Sequence, residues 1–368
     1  MKALEKINCF DESKIEKLLV PVWESQEIVD ETGLVIGEDG KVNLLALPIK
    51  QSVVVKNIFQ DVMYEEGIDY VVDGKTIKRI KGGNLPFFAV DEYFRKKPHE
   101  QIILKVDKTK SDFKFEEDRY IYFSEGVDGF DKYISISYKT DEKPTYGLIN
   151  KDDRLDSFVE NLKNSKRAKV KFYGDSITVG CNATGTKYGG NVSPFTPSWI
   201  TLVQRYLEMK FCAKIDVENH AVGGWRSVEG IDNFEQKCGK DLDKTDLFCI
   251  GFGANDILSG LELFRNNVCA MIDGYFKANP NGMVLLYSSL LPNSQAKGWR
   301  TDHAAFEKVL EDISLEYKNV GVAKVSTVYS HMEKLGKFTR DLLANSINHP
   351  NDFGVRLYAQ TIIKTLLG

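Results

Sequence analysis

Ser176 stands in Gly174-Asp175-Ser176-Ile177, directly after the apolar run Val170 to Tyr173. His349 stands in His349-Pro350-Asn351-Asp352-Phe353-Gly354, just before the last helical pattern of the chain. Between them lie His220-Ala221-Val222-Gly223-Gly224 and Gly251-Phe252-Gly253-Ala254-Asn255-Asp256. A serine hydroxyl is a poor nucleophile until a base takes its proton. The chain offers five histidines: His99, His220, His303, His331 and His349. His99 falls in the first half, and His303 and His331 sit in polar helical sequence. His220 is nearer to plausible chemistry, but Pro350 and the loop before a terminal helix favour His349 as the base. An attacked ester carbonyl gathers negative charge on oxygen and needs fixed donors. The backbone N–H of Ser176, that of Gly224 and the side-chain amide of Asn255 would supply three. Glycine suits the second position because a side chain would obstruct the approach of the oxyanion, and Gly223 competes with Gly224 for it. A nucleotide loop at Gly251-Phe252-Gly253 lacks its third glycine.

Residues so far apart meet only if the fold brings them to one edge. From about Ala168 the pattern alternates strand and helix. Strands are expected at Val170–Tyr173, Ile215–Val217, Leu247–Gly251, Met283–Tyr287 and Val320–Val325. Helices are expected behind Pro197-Ser198, over Leu261–Ala278, Asp302–Tyr317 and Gly354–Leu367. This order produces a parallel sheet with crossover helices, whose ligands gather at the carboxyl ends of the strands. All four blocks fall at or after such ends, or just before the last helix.

The first half has another rhythm. Ser52–Val55, Gln101–Val106 and Tyr133–Tyr138 read as short strands, the last alternating with period two and so presenting one buried and one wet face. Asp73-Gly74 between Tyr70–Val72 and Lys75–Ile77 is a hairpin signal. The expected fold class is therefore α/β: a three-layer, doubly wound parallel sheet preceded by an all-β, jelly-roll-like sandwich. The expected division is a sandwich over residues 1–150, a charged linker over 151–167 that holds a short amphipathic stretch, Leu155 to Leu162, and a catalytic domain over 168–368.

Composition narrows the partners. A net charge of −4 gives no broad reason to expect nucleic acid or an anionic membrane. No apolar run approaches the ~20 residues that span a bilayer. The N-terminus carries acids and lysines where a signal peptide would be apolar, so the expected setting is cytoplasmic, with export if a leader precedes this chain. Six cysteines without C-x-x-C pairing read as reduced thiols. The histidines and acids show no helical metal-ligand pairing, so neither metal nor cofactor is expected. The expected partner is a small-molecule or oligosaccharide ester, with homo-oligomer formation also open.

Taken together, Ser176, Gly224, Asn255 and His349 resemble the four blocks of the SGNH (GDSL) hydrolase superfamily. The resemblance covers about Lys169 to Gly368 and favours Gly224 over Gly223. It implies a flavodoxin-like core and a carboxylic ester hydrolase that works through an acyl-enzyme on Ser176. In much of that family an aspartate stands three residues before the histidine; here the position is Ser346. The histidine is then held by a backbone carbonyl in a Ser–His dyad, or by another acid (Asp341, Asp352 or Asp256), or the site is impaired. A working dyad is expected. The sandwich ahead of the core and the missing aspartate resemble bacterial carbohydrate esterases, which implies removal of O-acetyl groups from a carbohydrate. Trp225, Trp199 and Trp299 offer flat faces for a sugar, Trp225 foremost as a substrate contact. Asp175, a further site candidate, reads as a turn-stabilising residue. The alternatives are a lipid or small acyl-ester hydrolase of lysophospholipase or arylesterase type, and a non-catalytic carbohydrate-binding protein.

Overall fold

The computed structural model describes residues 9–100, 102–299 and 303–368. Gln101, where one strand was expected to begin, and Asp302, the expected start of one helix, lie outside them.

Among the described residues nine strands occupy the first half: β1 (Glu27–Leu34), β2 (Lys41–Asn43), β3 (Val54–Asn57), β4 (Met63–Tyr64), β5 (Tyr70–Asp73), β6 (Thr76–Arg79), β7 (Phe94–Arg95), β8 (Tyr120–Ile121) and β9 (Tyr133–Lys139). They form antiparallel sheets ordered β1-β9-β3-β4, β2-β6-β5 and β7-β8. The expected hairpin is β5–β6: Asp73 pairs with Thr76 across Gly74-Lys75, and Gly74 takes a positive φ of 56°. β9 differs from its alternating pattern, since Tyr133, Ile134, Ser135 and Ile136 are all buried. The isoleucines enter one apolar cluster, while the Tyr133 hydroxyl donates to Leu343 O and Ser135 to Asp30. The Tyr133 end of the face expected to be wet is covered by Leu343, Ala344 and Ile347 of the second half. Residues 102–106 form only isolated bridges, Lys105 to Tyr120 and Val106 to Ala296.

The second half holds β10 (Arg167–Gly174), β11 (Lys214–Asn219), β12 (Leu247–Gly251), β13 (Met283–Tyr287) and β14 (Val320–Ala323). They make one parallel sheet ordered β11-β10-β12-β13-β14. β12, β13 and β14 are buried throughout, as a parallel sheet covered on both faces requires. The helix Asp352–Leu367 buries nearly its whole surface and packs on the helix Trp199–Phe211. Residues 151–167, expected as a linker, carry the helix Asp156–Ser165, whose Phe158, Val159 and Leu162 form one apolar stripe in the core. The expected last strand stops at Ala323, and Val325 already opens the helix Val325–Lys334.

One apolar cluster runs from Ile15 and Ile28 through β9 and β10 to Leu366, so the two halves share a core. A buried ion pair adds to it: Lys337 Nζ lies 2.6 Å from Glu31 Oε1, both side chains fully buried. The six cysteines are free. Among the described residues no helix is long and apolar enough to cross a membrane.

Candidate active site

β10 ends at Gly174, beside Gly251 at the end of β12. A side chain on Gly174 would strike Thr178 and the Gly251 carbonyl, so a bare backbone is needed where the chain turns. Asp175 then caps the four-residue helix Ser176–Val179, its Oδ1 accepting from Ile177 N at 2.9 Å. As the first residue of that helix, Ser176 keeps a backbone N–H with no intrahelical acceptor. Trp199 fixes the turn from behind, donating from Nε1 to Ile177 O at 3.0 Å, and its ring packs against Phe172, Tyr287 and Tyr358. Trp199 is therefore a buried core residue rather than a face for a ligand.

The histidine comes to this turn from the far end of the chain. Ser176 Oγ lies 2.9 Å from His349 Nε2, with the two residues 9% and 8% exposed. Nδ1 lies 2.7 Å from Asn182 Oδ1. The Asn182 amide nitrogen donates to Gly126 O at 3.1 Å. A carbonyl only accepts, so this bond turns Oδ1 toward the imidazole. Oδ1 also only accepts, so Nδ1 carries the proton of the neutral ring and Nε2 presents its lone pair to Ser176 Oγ–H. The same ring nitrogen lies 3.3 Å from Glu125 Oε2. Burial pushes the Glu125 carboxyl up, but hydrogen bonding to His349 and its charge outweigh this and hold it below the usual carboxylate range.

The loop of His349 is shaped by Asn345, whose Oδ1 accepts the backbone N–H groups of Ile347, Asn348 and His349, each at 3.0 Å. Ser346 sits inside this loop at φ 64°, and its carbonyl accepts from Asn293 Nδ2 at 2.9 Å. The four groups considered as orienters are engaged elsewhere. Asp352 accepts from Thr184 N and Oγ1 at 2.9 and 2.6 Å, which braces the loop that carries Asn182. Asp341 is buried beneath β1 and accepts from Leu34 N. Asp256 accepts from Ser227 N, Ser227 Oγ and Gly253 N, tying the second block to the third. Ser346 is buried and hydrogen-bonds to Tyr93 and Tyr133 of the first half. Asn182 and Glu125 instead occupy the Nδ1 side.

The second block joins the first through Val222 N, which donates to Gly174 O at 3.0 Å. Gly224 has φ 78°, and a Cβ there would meet nothing within 4 Å. The left-handed turn thus gives a second reason for glycine here, beside the open approach expected for an oxyanion. A Cβ on Gly223 would sit 3.8 Å from that of Ser176. Asn255 donates from Nδ2 to Trp225 O at 3.0 Å; an amide carries two N–H groups, so one remains for another acceptor.

Trp225 is half-buried, edge-on to Tyr173, with Lys237 over its ring. Trp299 packs on the aromatic cluster of the first half. Asp175 is buried, and burial raises its carboxyl to about 7 against the opposing pull of Ile177 N–H and His349. It is a capping group and not a substrate contact. His220 pairs with Glu218 at 3.1 Å, away from Ser176. Among the described residues no group of three or more His, Cys, Asp or Glu is arranged to hold a metal ion. Asn182 and Glu125 escaped the sequence reading: Asn182 follows Ser176 by six positions with no feature to mark it, and Glu125 lies in the other half.

The family model described as GDSL-like lipase/acylhydrolase matches residues 172–357, just over half of the chain. No curated protein matches. Among solved structures the chain is similar to a two-domain esterase (CEX) active on acetylated mannans, co-crystallized with mannopentaose. There the identity is 20% and the TM-score 0.46, over 58% of this chain and 54% of that one, so the match spans about half the length of that esterase. It is also similar to an acetyl xylan esterase from Geobacillus stearothermophilus, at 18% identity and a TM-score of 0.43, covering 55% of this chain and 97% of that one. A lipase/acylhydrolase from Enterococcus faecalis matches at 24% identity and a TM-score of 0.43, covering 54% and 94%.

Proposed function

Because the chain belongs to the GDSL-like lipase/acylhydrolase family and is a carboxylic ester hydrolase, we propose that it removes acetyl groups from a carbohydrate ester through an acyl-enzyme on Ser176. The observation that carries the mechanism is the Ser176 Oγ to His349 Nε2 contact at 2.9 Å, with Nδ1 bonded on its far side. His349 takes the hydroxyl proton as Oγ attacks the carbonyl carbon, and the carbonyl π pair moves onto oxygen. The N–H groups of Ser176 and Gly224 and the free amide N–H of Asn255 hold that oxyanion. Collapse breaks the bond to the sugar oxygen, which leaves with the proton from Nε2. Water, activated by the same imidazole, then releases acetate and restores Ser176.

The short acyl group rests on the space around the site. The void beneath the nucleophile turn, lined by Asp175, Thr178, Tyr287 and Tyr358, is about 10 Å³. Another behind Asn182, lined by Tyr133 and Ala344, is also about 10 Å³. Each is no larger than a single water, so neither of these voids beside the nucleophile turn could house a long acyl chain. Gly223 and Gly224 are exposed beside half-buried Trp225, leaving room for a bulky alcohol such as a sugar. The first half, read as a jelly-roll-like sandwich, would roof the other side of the site.

A second reading, an ester of a longer acyl chain, draws on Leu258. It lies three residues after Asn255 and is 95% exposed. The test is acetate release from a panel of acetylated oligosaccharides, run beside acetyl and octanoyl nitrophenyl esters. The acetyl reading expects acetate from the sugars and at least ~10-fold higher kcat/KM on the acetyl ester, about 1.4 kcal/mol of discrimination. Preference for octanoyl with no acetate release would replace it by the second reading.

A further inference from the structure

With Ser346 in place of the customary aspartate, the charge that steadies His349 has to come from elsewhere. We propose that Glu125, supplied by the β-rich first half, is the positioning acid of His349, so that the working site is assembled from both halves of the chain. The inference rests on the roles given above to Ser176 and His349.

Three contacts converge on it. Glu125 Oε2 lies 3.3 Å from His349 Nδ1. Its other oxygen accepts from Asn345 Nδ2 at 3.3 Å, and Asn345 is the residue whose Oδ1 gathers the backbone N–H groups of 347 to 349. One side chain thus holds both the acid and the histidine loop. The neighbouring carbonyl, Gly126 O, turns the Asn182 amide so that its oxygen faces Nδ1. Packing holds the two halves together here. Ala344 and Ile347, from the histidine loop, lie in the same apolar cluster as Phe88, Phe130 and Tyr133, and the Tyr133 hydroxyl donates to Leu343 O at 2.6 Å.

The chemistry follows from charge. When Nε2 takes the proton of Ser176, the ring becomes a cation while Nδ1 keeps its own hydrogen. Asn182 offers that hydrogen a dipole, and Glu125 offers a full negative charge without accepting the proton. The Glu125 side chain is 54% exposed, so water screens the pair and its effect is smaller than that of a buried triad acid. A loss of roughly 10-fold is expected when the charge is removed, one step of transition-state free energy.

The test measures kcat and KM on an acetyl nitrophenyl ester with the full chain, comparing wild type, Glu125→Gln, Glu125→Asp and Ser176→Ala, each with its thermal melt. Glutamine keeps shape and loses charge; aspartate keeps charge and loses length. The proposal expects Glu125→Gln to lower kcat about 10-fold with KM within about twofold. Glu125→Asp should lose less, and the gap between wild type and Glu125→Gln should shrink near 1 M salt, where the Debye length falls to about 3 Å. Wild-type kcat in Glu125→Gln, a larger loss in Glu125→Asp than in Glu125→Gln, or a loss confined to KM would overturn it. A reduced melting temperature with unchanged kcat per folded molecule would also count against it. An inactive Ser176→Ala beside an unaffected Glu125→Gln removes only the role of Glu125. Activity retained in Ser176→Ala removes the underlying mechanism.

Discussion

Asn182 carries two separable burdens, and substitution can read them apart. Its side chain bonds His349 Nδ1 at 2.7 Å and Gly126 O at 3.1 Å, and its backbone sits at φ 65°. Before reaction the bond to Nδ1 joins two neutral groups, worth about 0.5–1.5 kcal/mol; against an imidazolium it is worth about 1.5–3 kcal/mol. Only the difference, about 1–2 kcal/mol, speeds the chemical step. At 1.36 kcal/mol per decade this is roughly 5–30-fold in kcat. The left-handed backbone adds a cost of about 1–2 kcal/mol in stability for a residue with a Cβ, which glycine escapes. Asn182→Ala should therefore lose both activity and stability, whereas Asn182→Gly should lose the same activity with a smaller fall in stability. Nitrophenyl acetate turnover at saturating substrate, with urea unfolding of the same preparations, separates the two. A folded Asn182→Gly with kcat within twofold of wild type would refute the assignment of Asn182 as the partner that fixes the imidazole.

Lys337→Met leaves Glu31 buried without its cation and should cost about 3–5 kcal/mol in urea unfolding; a loss under 1 kcal/mol would mean the pair does not hold the halves together. Asp175, raised to about 7 by burial, binds more protons in the folded than in the unfolded state between pH 4 and 7. Its contribution to stability therefore falls as pH rises through that window. Asp175→Asn, which keeps an oxygen for Ile177 N–H, should flatten the urea midpoint across pH 4 to 8, and an unchanged slope would contradict this. Gly224→Ala should lower kcat more than Gly223→Ala, because only position 224 needs a positive φ; equal losses would point to crowding instead.

The strands Leu247–Gly251 and Met283–Tyr287 were legible to the residue because a strand covered on both faces is an uninterrupted apolar run. The helix Asp156–Ser165 was legible only as a short amphipathic stretch within a charged linker, since its charged outer face outweighed its stripe of three core residues. Ser176 and His349 could be paired from their turn-forming neighbours and their place against the expected strands. The Nδ1 side could not. The acids nearest the histidine in sequence, Asp341 and Asp352, bond to Leu34 and Thr184, while the groups that touch the ring come from the turn after Ser176 and from the first half. No local pattern records such a contact, because it is set by how Ala344 and Ile347 pack under Tyr133 and Phe130.

Ser176 as the nucleophile carries the whole mechanism. Treating the full chain with a serine-reactive phosphonate and mapping the adduct by mass spectrometry addresses it directly. A single adduct on Ser176, formed in step with loss of esterase activity and absent from both Ser176→Ala and His349→Ala, is the predicted result. Labelling at another residue, or undiminished ester hydrolysis by Ser176→Ala, would contradict it.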